Sequence, residues 1–306
     1  MVEQLSKLTT EKRNKRTMQM DQLSTIEVLQ TINQEDKKVA AAVEAVLPQV
    51  EIAVDHIYQS LRQGGRLFYI GAGTSGRLGV LDASECPPTF MTDPELVQTV
   101  MAGGIEAFTN AIENSEDNEK QGANDLKEKS ITDKDVVIGI TASGRTPYPI
   151  GALKYAQRIG AYTVGLSCNE NAQISQWANC PIEVVVGPEV LTGSTRMKAG
   201  TAHKMVLNMI STTVMVKLGK VYENLMVDLH ASNHKLRERA KRIIMEITNV
   251  SYSKAGEMLE RANKEVKPAI VMIEAGVSLD EARKAIEASN GYVRNAIQVA
   301  KQQQHS

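Results

Sequence analysis

Short apolar runs alternate with longer amphipathic segments through the first two thirds of the chain. Five of these runs are rich in branched residues and are bounded by glycine, proline or polar clusters; they cover residues 67–70, 96–101, 135–141, 162–167 and 182–186. Between them, apolar residues recur at helical spacing. Strands that alternate with helices are typical of a parallel sheet joined by right-handed crossovers. The sequence therefore predicts a three-layer α/β/α sandwich around a five-stranded parallel sheet.

Helical patterns flank this region on both sides. Ser24 and Glu27 form a capping-box pattern that opens a helix, whereas residues 1–20 are polar, basic and without a period, which predicts a flexible arm. From about residue 235 the pattern is helical only, and it predicts a small C-terminal module of three helices. The predicted domains are therefore 1–234, an α/β domain with an N-terminal helical arm, and 235–306.

The glycine-rich segment after the first strand is the first candidate for chemistry. Gly71, Gly73 and Gly76 allow the backbone to turn tightly and to approach a ligand. Thr74 and Ser75 follow where hydroxyls and free amides meet at a helix N-terminus, an arrangement that favours an anion. We interpret this segment as a phosphate-binding loop.

The same segment also fits GxGxxG, the glycine pattern of dinucleotide-binding folds. That pattern requires an acidic residue about 20 positions further on, at the end of the second strand. Residues 102–104 are Ala-Gly-Gly instead, and no Gly-Lys-Ser/Thr of a P-loop follows. A small phosphorylated ligand fits better than a nucleotide, and a purely structural glycine turn is the remaining alternative.

A second loop, after the third strand, repeats this chemistry. Thr146 is placed to cap a helix whose first residue is Pro147. Because ligands of parallel sheets bind beyond the carboxyl ends of the strands, both loops are expected at one edge. Lys198 and His203, near a long helix predicted over 205–218, are possible substrate contacts. The candidate phosphate-binding residues are Gly73, Thr74, Ser75, Thr141, Ser143, Gly144, Arg145 and Thr146.

Two acidic regions are candidates for acid–base chemistry. Glu85 precedes Pro87 and Pro88, which disfavour further helix and predict that Glu85 lies in the last helical turn. A carboxyl group there faces the negative end of the helix dipole, which suits a general acid, although a solvated surface glutamate is the alternative. Residues 106–129 are predicted to be helical and carry an acidic patch that includes Glu116.

Composition and charge exclude several classes of function. The chain has 306 residues, 42% of them hydrophobic, and a formal net charge of -1, so there is no electrostatic basis for binding nucleic acid or an anionic membrane. Cys86, Cys168 and Cys180 lack metal-ligand spacing and suit a reducing compartment. No run has the length of a signal-peptide core or a membrane span, so a cytoplasmic location is expected.

Four segments together resemble the bacterial N-acetylmuramic acid 6-phosphate etherase family, which belongs to the sugar isomerase domain superfamily. They are GAGTSGRLGVLDASECPPT at 71–89, ITASGRTP at 140–147, TGSTRMKAGTAHK at 192–204 and NLMVDL at 224–229. The resemblance covers nearly the whole chain. It implies a homodimeric lyase, without metal or nucleotide, that cleaves the lactyl ether of N-acetylmuramic acid 6-phosphate to N-acetylglucosamine 6-phosphate and D-lactate in cell-wall recycling.

The resemblance also implies roles for the two acidic candidates. Glu85, in the ASECPP segment, corresponds to the proton donor to the departing lactate. Glu116, beside Asp117, corresponds to the second family glutamate, which we interpret as the base at carbon 2 of the sugar. Two other functions would use the same phosphate loops: an aldose–ketose phosphosugar isomerase, and a non-catalytic sugar-phosphate sensor similar to the glucokinase regulator of animals.

Overall fold

The computed structural model describes residues 8–110, 112, 114–229 and 234–304. The chain divides into two compact units. An α/β unit contains the described residues up to Ser84 together with Pro94–Ser211, and a helical unit contains Glu85–Asp93 and the described residues from Thr212 onward. The observed division thus follows residue 211 rather than residue 234, and a short internal segment belongs to the helical unit.

A five-stranded parallel sheet forms the centre of the α/β unit, as predicted. The strand order is β2-β1-β3-β4-β5, and each neighbouring pair is parallel. Every residue of β1 and β3 is buried, which explains why these strands appear in the sequence as continuous apolar runs. The strands are β1 (Leu67–Gly71), β2 (Val97–Met101), β3 (Val136–Thr141), β4 (Tyr162–Ser167) and β5 (Cys180–Glu183).

Helices cover both faces of this sheet. Phe68 and Ile70 of β1 pack in one apolar core with Leu126, Tyr148 and other residues of the helices that flank β3. Tyr69, the intervening residue, points to the opposite face because side chains alternate along a strand, and its hydroxyl donates to Asp82 Oδ2 at 2.8 Å. The helices with described bounds are α1 (Thr25–Glu44), α2 (Leu47–Arg62), α3 (Gly73–Phe90), α4 (Glu106–Thr109), α5 (Glu119–Glu128), α6 (Pro147–Arg158) and α7 (Lys198–Lys217).

The segment from residue 106 to 129 is not the single helix that its polar pattern predicts. Asn114 adopts a left-handed conformation with φ of 61°, and a single 3-10 turn, Ser115–Asp117, follows it. Asn118 then caps α5, because its Oδ1 accepts from the backbone N–H of Gln121 at 3.0 Å. The break places Glu116 in a turn between two helices.

Helix α3 also differs from its prediction. It continues through Pro87 and Pro88 as far as Phe90, so Glu85 does not lie in the last turn. The side chain of Glu85 is exposed. Both prolines fall in the final turn, where the backbone N–H of Met91 donates to the carbonyl of Pro87 at 2.9 Å. Glu85 therefore does not lie at the negative end of the helix dipole.

Among the described residues after 233, the helical unit contains five helices, where the sequence predicts three. Left-handed backbone at Asn263 and Lys264 separates two of them, and Gly276, with φ of 70°, ends the next. A short antiparallel hairpin, β6 (Val221–Tyr222) and β7 (Leu225–Met226), precedes them. The helices are α8 (His234–Thr248), α9 (Tyr252–Arg261), α10 (Val266–Ala275), α11 (Leu279–Ala288) and α12 (Val293–Gln304).

In the part of the chain that the structure describes, no helix combines the length and the apolar character that crossing a membrane requires.

Candidate functional site

A cavity of about 400 Å³ opens at the carboxyl edge of the sheet in the α/β unit. Strands β1 and β3 are neighbours, so the loops that follow them meet there, and the turn at 115–117, the N-terminal residues and the start of α7 complete the wall. The predicted site residues that line it are Gly73, Thr74, Ser75, Glu116, Thr141, Ser143, Arg145, Thr146 and His203.

The loop after β3 presents a cluster of hydroxyl groups to this cavity. Thr141 Oγ1 lies 2.7 Å from Thr146 Oγ1 and 3.3 Å from Ser143 Oγ, which in turn accepts from the backbone N–H of Arg145 at 3.2 Å. Pro147 then begins α6, so the positive end of this helix is directed toward the same cluster. Hydroxyl donors, one guanidinium and a helix N-terminus together suit a phosphate group.

Gly144 is the one predicted phosphate-binding residue that does not line the cavity. Its φ is +73°, and a Cβ at this position would lie 2.4 Å from the Cβ of Ala172. The left-handed backbone disfavours any residue with a side chain, and the short distance leaves no room for a Cβ atom, so both observations require glycine. Gly144 therefore shapes the loop that carries Ser143 and Arg145 without contributing to the lining.

A buried carboxylate occupies the N-terminus of α7. The two carboxylate oxygens of Glu189 accept from the backbone N–H groups of Lys198 and Ala199, each at 2.9 Å. Burial raises the pKa of Glu189, while these two hydrogen bonds act in the opposite direction. Because the carboxyl group of Glu189 already fills this helix end, the N-termini of α3 and α6 are the helix ends that suit a ligand anion in the cavity.

Lys198 lies in the protein interior and does not line the cavity, contrary to its prediction as a possible substrate contact. Its Nζ donates to Glu35 Oε2 and to the carbonyl of Val186, both at 2.9 Å. Burial alone would raise the pKa of Glu35, but hydrogen bonds from Lys38 and Lys198 outweigh burial and lower it to about 2. Lys198 thus anchors the start of α7 through an internal ion pair.

His203 lines the cavity as a buried, neutral group. Its Nδ1 lies 3.5 Å from Ser75 Oγ, and its Nε2 lies 3.5 Å from Cys168 Sγ. Burial lowers the pKa of His203 to about 4 and raises the pKa of the Cys168 thiol, so both side chains are uncharged at neutral pH. His203 therefore acts as a hydrogen-bonding partner of Ser75 and adds no positive charge for a phosphate.

The two predicted catalytic glutamates have different positions. Glu116 lines the cavity together with Asp117. Glu85 is not among the lining residues: it is exposed, belongs to the helical unit, and follows Gly73 by about three turns of α3. The structure therefore brings Glu116, but not Glu85, together with the phosphate-binding residues in this cavity.

The N-terminal residues contribute to the site in a way that their sequence does not predict. Residues 8–17 pack against the α/β unit rather than forming a flexible arm, and Glu11 lines the cavity. Thr17 Oγ1, for example, donates to the carbonyl of Val190 at 2.8 Å. Side-chain to backbone bonds of this kind leave no periodic pattern, so the sequence carries no signal of the packing.

Among the described residues, no group of three His, Cys, Asp or Glu side chains has an arrangement that could hold a metal ion.

Similar proteins decide the family. The chain is 57% identical over 294 residues to the N-acetylmuramic acid 6-phosphate etherase of Bacillus pumilus (strain SAFR-032). The aligned region covers 96% of this chain and 97% of that protein. The chain is 56% identical over 294 residues to the N-acetylmuramic acid 6-phosphate etherase of Bacillus subtilis (strain 168), with the same coverage. The chain belongs to the N-acetylmuramic acid 6-phosphate etherase family. The family resemblance inferred from the four sequence segments is therefore confirmed.

A family model and two solved structures agree with the fold of this etherase family member. Residues 49–157 match the family model described as the glucokinase regulatory protein N-terminal SIS domain. The fold is similar to that of a phosphoheptose isomerase from Francisella tularensis, with a TM-score of 0.50, 17% identity, and coverage of 63% of this chain and 100% of that one. A phosphosugar isomerase from Bacteroides fragilis NCTC 9343, described as putative and involved in capsule formation, has a TM-score of 0.50 at 18% identity and covers 66% of this chain and 95% of that one.

Proposed function

We propose that this chain is a carbon–oxygen lyase that cleaves the D-lactyl ether of N-acetylmuramic acid 6-phosphate, giving N-acetylglucosamine 6-phosphate and D-lactate. Identity of 57% to an etherase over nearly the full length supports the substrate. The observation on which the site rests is the cavity at the sheet edge, where two hydroxyl-bearing loops and Glu116 come together.

The phosphate group of the substrate fits the two loops. The N-termini of α3 and α6 both face the cavity, and each favours an anion. The hydroxyl groups of Ser75, Ser143 and Thr146 would donate to phosphate oxygens, with the Arg145 guanidinium nearby. In this arrangement the sugar extends from the phosphate toward the acidic wall at Glu116.

The position of the ether in the substrate defines the easiest route for its cleavage. In the open-chain aldehyde the ether oxygen on carbon 3 is β to the carbonyl, so removal of the proton on carbon 2 is followed by loss of lactate and formation of a carbon 2–carbon 3 double bond. Water then adds its oxygen to carbon 3, and carbon 2 regains a proton. Direct cleavage of the unactivated ether would lack the stabilisation that the carbonyl gives to the carbanion.

Two carboxyl groups suffice for this sequence. We assign the base at carbon 2 to Glu116, which the cavity supports, and the acid that protonates the lactate oxygen to Glu85, which the resemblance of the ASECPP segment supports. The roles are exchanged when water adds. Each positioned proton transfer contributes roughly 10² to 10⁴ in rate.

Release of D-lactate from N-acetylmuramic acid 6-phosphate tests this function. The purified chain is incubated with the substrate, and lactate is measured with a coupled dehydrogenase. In ¹⁸O-labelled water, elimination followed by water addition places the label on carbon 3 of the sugar and leaves lactate unlabelled. A ketose product without lactate would indicate an isomerase, and binding without turnover would indicate a sensor; either result would overturn the proposal.

The expected homodimer follows from the family resemblance, whereas the expected location and the exclusion of nucleic acid and membrane follow from composition, charge and the lack of a signal-peptide or membrane run. We expect a homodimer in the cytoplasm that binds a small phosphosugar and neither nucleic acid nor membrane. Light scattering on the purified chain measures the oligomeric state, and a mass of one chain at micromolar concentration would contradict the dimer.

A further inference from the structure

The N-terminal arm, residues 8–17, forms part of the cavity wall. It begins with a 3-10 turn, Thr9–Glu11, in which Thr10 is buried and Glu11 is exposed. The carboxylate of Glu11 belongs to the lining, and its Oε2 would lie 4.0 Å from a Cβ on Gly193, so it lies beside the loop that precedes α7.

One buried side chain, that of Asn169, holds the arm in this place. Asn169 follows β4 and is 2% exposed. Its Oδ1 accepts from the backbone N–H of Thr9 at 2.6 Å, and its Nδ2 lies 3.1 Å from Thr10 Oγ1. The same Nδ2 lies 3.0 Å from the carbonyl oxygen of Ala142 and 3.3 Å from that of Ser143. Asn169 therefore ties the arm directly to the phosphate-binding loop after β3.

The charges around the cavity restrict what Glu11 can bind. The Asp, Glu, Lys and Arg residues in the lining are Glu11, Glu116, Asp117 and Arg145. A phosphate group would be repelled by the carboxylates and attracted to Arg145 and the hydroxyl cluster. An ionised carboxylate accepts hydrogen bonds and donates none, so Glu11 suits the uncharged part of a sugar, where hydroxyl and amide groups are donors.

We propose that Glu11 is a further substrate-binding residue, whose carboxylate accepts a hydrogen bond from a donor group of the amino sugar, and that Asn169 is the residue that positions it. The inference rests on the proposed function for the identity of the sugar. The donor is either a sugar hydroxyl or the N–H of the acetamido group, and the two have the same chemistry toward a carboxylate.

The first test compares Glu11→Gln with the unaltered chain and with Glu51→Gln, a matched change at an exposed glutamate of α2 outside the cavity lining. Loss of a charged acceptor is expected to raise KM for the substrate, and the inhibition constant of N-acetylglucosamine 6-phosphate, by roughly 10- to 100-fold. Inhibition by inorganic phosphate should not change, because phosphate occupies the hydroxyl loops. Glucose 6-phosphate, which lacks the acetamido group, distinguishes the two possible donors. Its inhibition constant should rise in Glu11→Gln if a hydroxyl is the donor, and it should stay constant if the acetamido N–H is the donor.

The second test asks whether Asn169 acts through Glu11. Asn169→Ala should raise KM more than it lowers kcat, and it should speed tryptic cleavage after Lys12 and Arg13. If Asn169 positions Glu11, the double variant Glu11→Gln/Asn169→Ala binds N-acetylglucosamine 6-phosphate no more weakly than the worse single variant, whereas independent effects would add. Asn169→Asp keeps the acceptor for Thr9 and loses the donors to the loop. Its KM should therefore lie between that of the unaltered chain and that of Asn169→Ala.

Unchanged kcat/KM and unchanged inhibition by N-acetylglucosamine 6-phosphate in Glu11→Gln would overturn the role of Glu11. Additive effects in the double variant would overturn the role of Asn169. Calorimetric titration with N-acetylglucosamine 6-phosphate measures the same quantities without turnover. A chain that binds this sugar phosphate but releases no lactate would therefore contradict the proposed function while leaving the test of Glu11 intact, and a chain that does not bind it would contradict both.

Discussion

The Nζ atom of Lys198 lies 2.9 Å from the Oε2 atom of Glu35, and the two side chains are only 1% and 3% exposed. This buried ion pair joins α1 to the first residue of α7. Gly200 and His203 of α7 line the cavity, so the ion pair stabilises the helix that forms this part of the cavity wall. The charge of Lys198, which the sequence suggests for a substrate contact, is thus paired with Glu35 inside the protein.

Removal of the Lys198 ammonium should reduce stability. In Lys198→Met the Glu35 carboxylate keeps its bond to Lys38 but loses its buried partner, and we expect the free energy of unfolding to fall by about 3 kcal/mol. Urea denaturation measures this change. Lys204→Met, at an exposed lysine of the same helix, is the control and should lie within about 0.5 kcal/mol of the unaltered chain. Unaltered stability combined with a raised KM would instead support direct substrate contact by Lys198.

The Glu35 carboxyl should also make stability depend on acid pH. Its pKa in the folded protein is about 2, lower than the ordinary value of 4.5. The resulting stabilisation is fully present above pH 4.5 and is lost as the pH falls toward 2. The difference in urea midpoint between the unaltered chain and Glu35→Gln should therefore shrink across this range. A difference that stays constant from pH 6 to pH 2.5 would show that the carboxylate is not stabilised by its two lysines.

Gly144→Ala should distort the loop after β3. The left-handed backbone costs an alanine roughly 1 kcal/mol, and contact with Ala172 adds to this cost. Because the loop carries Ser143 and Arg145, we expect weaker inhibition by inorganic phosphate together with a lower melting temperature. The control is Gly64→Ala, which shares the positive φ but has no atom within 4 Å of the added Cβ. Equal phosphate inhibition in the two variants would contradict a loop-shaping role for Gly144.

The sheet and the two hydroxyl loops could be predicted from sequence because each depends on local patterns. Apolar runs mark the buried strands, and glycine or hydroxyl residues directly after β1 and β3 mark the loops. In a parallel sheet, neighbouring strands bring such loops to the same edge without any further information. The positions of Thr74, Ser143 and Arg145 in the cavity lining follow from this rule alone.

The features that the sequence did not predict depend on contacts between distant residues. Lys198 pairs with a residue 163 positions away, and Asn169 holds Thr9 across 160 positions. The turn that carries Glu116 depends on a left-handed Asn114, which the acidic helical pattern around it conceals. These contacts involve polar side chains without periodicity, so no local pattern predicts them.

Proton exchange at carbon 2 separates the roles of Glu116 and Glu85. In deuterated water the unaltered chain should exchange the carbon 2 proton and release lactate. Glu116→Gln should lose both, by roughly 10² to 10⁴ in rate, because the base is missing from the cavity. Glu85→Gln should lose lactate release by a similar factor yet retain exchange, since proton removal precedes departure of the lactate.

Binding of N-acetylglucosamine 6-phosphate serves as the control, because it reports an intact site and should stay within a few-fold of the unaltered chain in both variants. Full exchange in Glu116→Gln would remove that residue from the role of base. Loss of exchange in Glu85→Gln alone would reverse the assignment, and full lactate release in Glu85→Gln would exclude it as the acid. Because Glu85 lies outside the cavity lining, this variant is the sharper test of whether a carboxyl group three turns along α3 takes part in the chemistry.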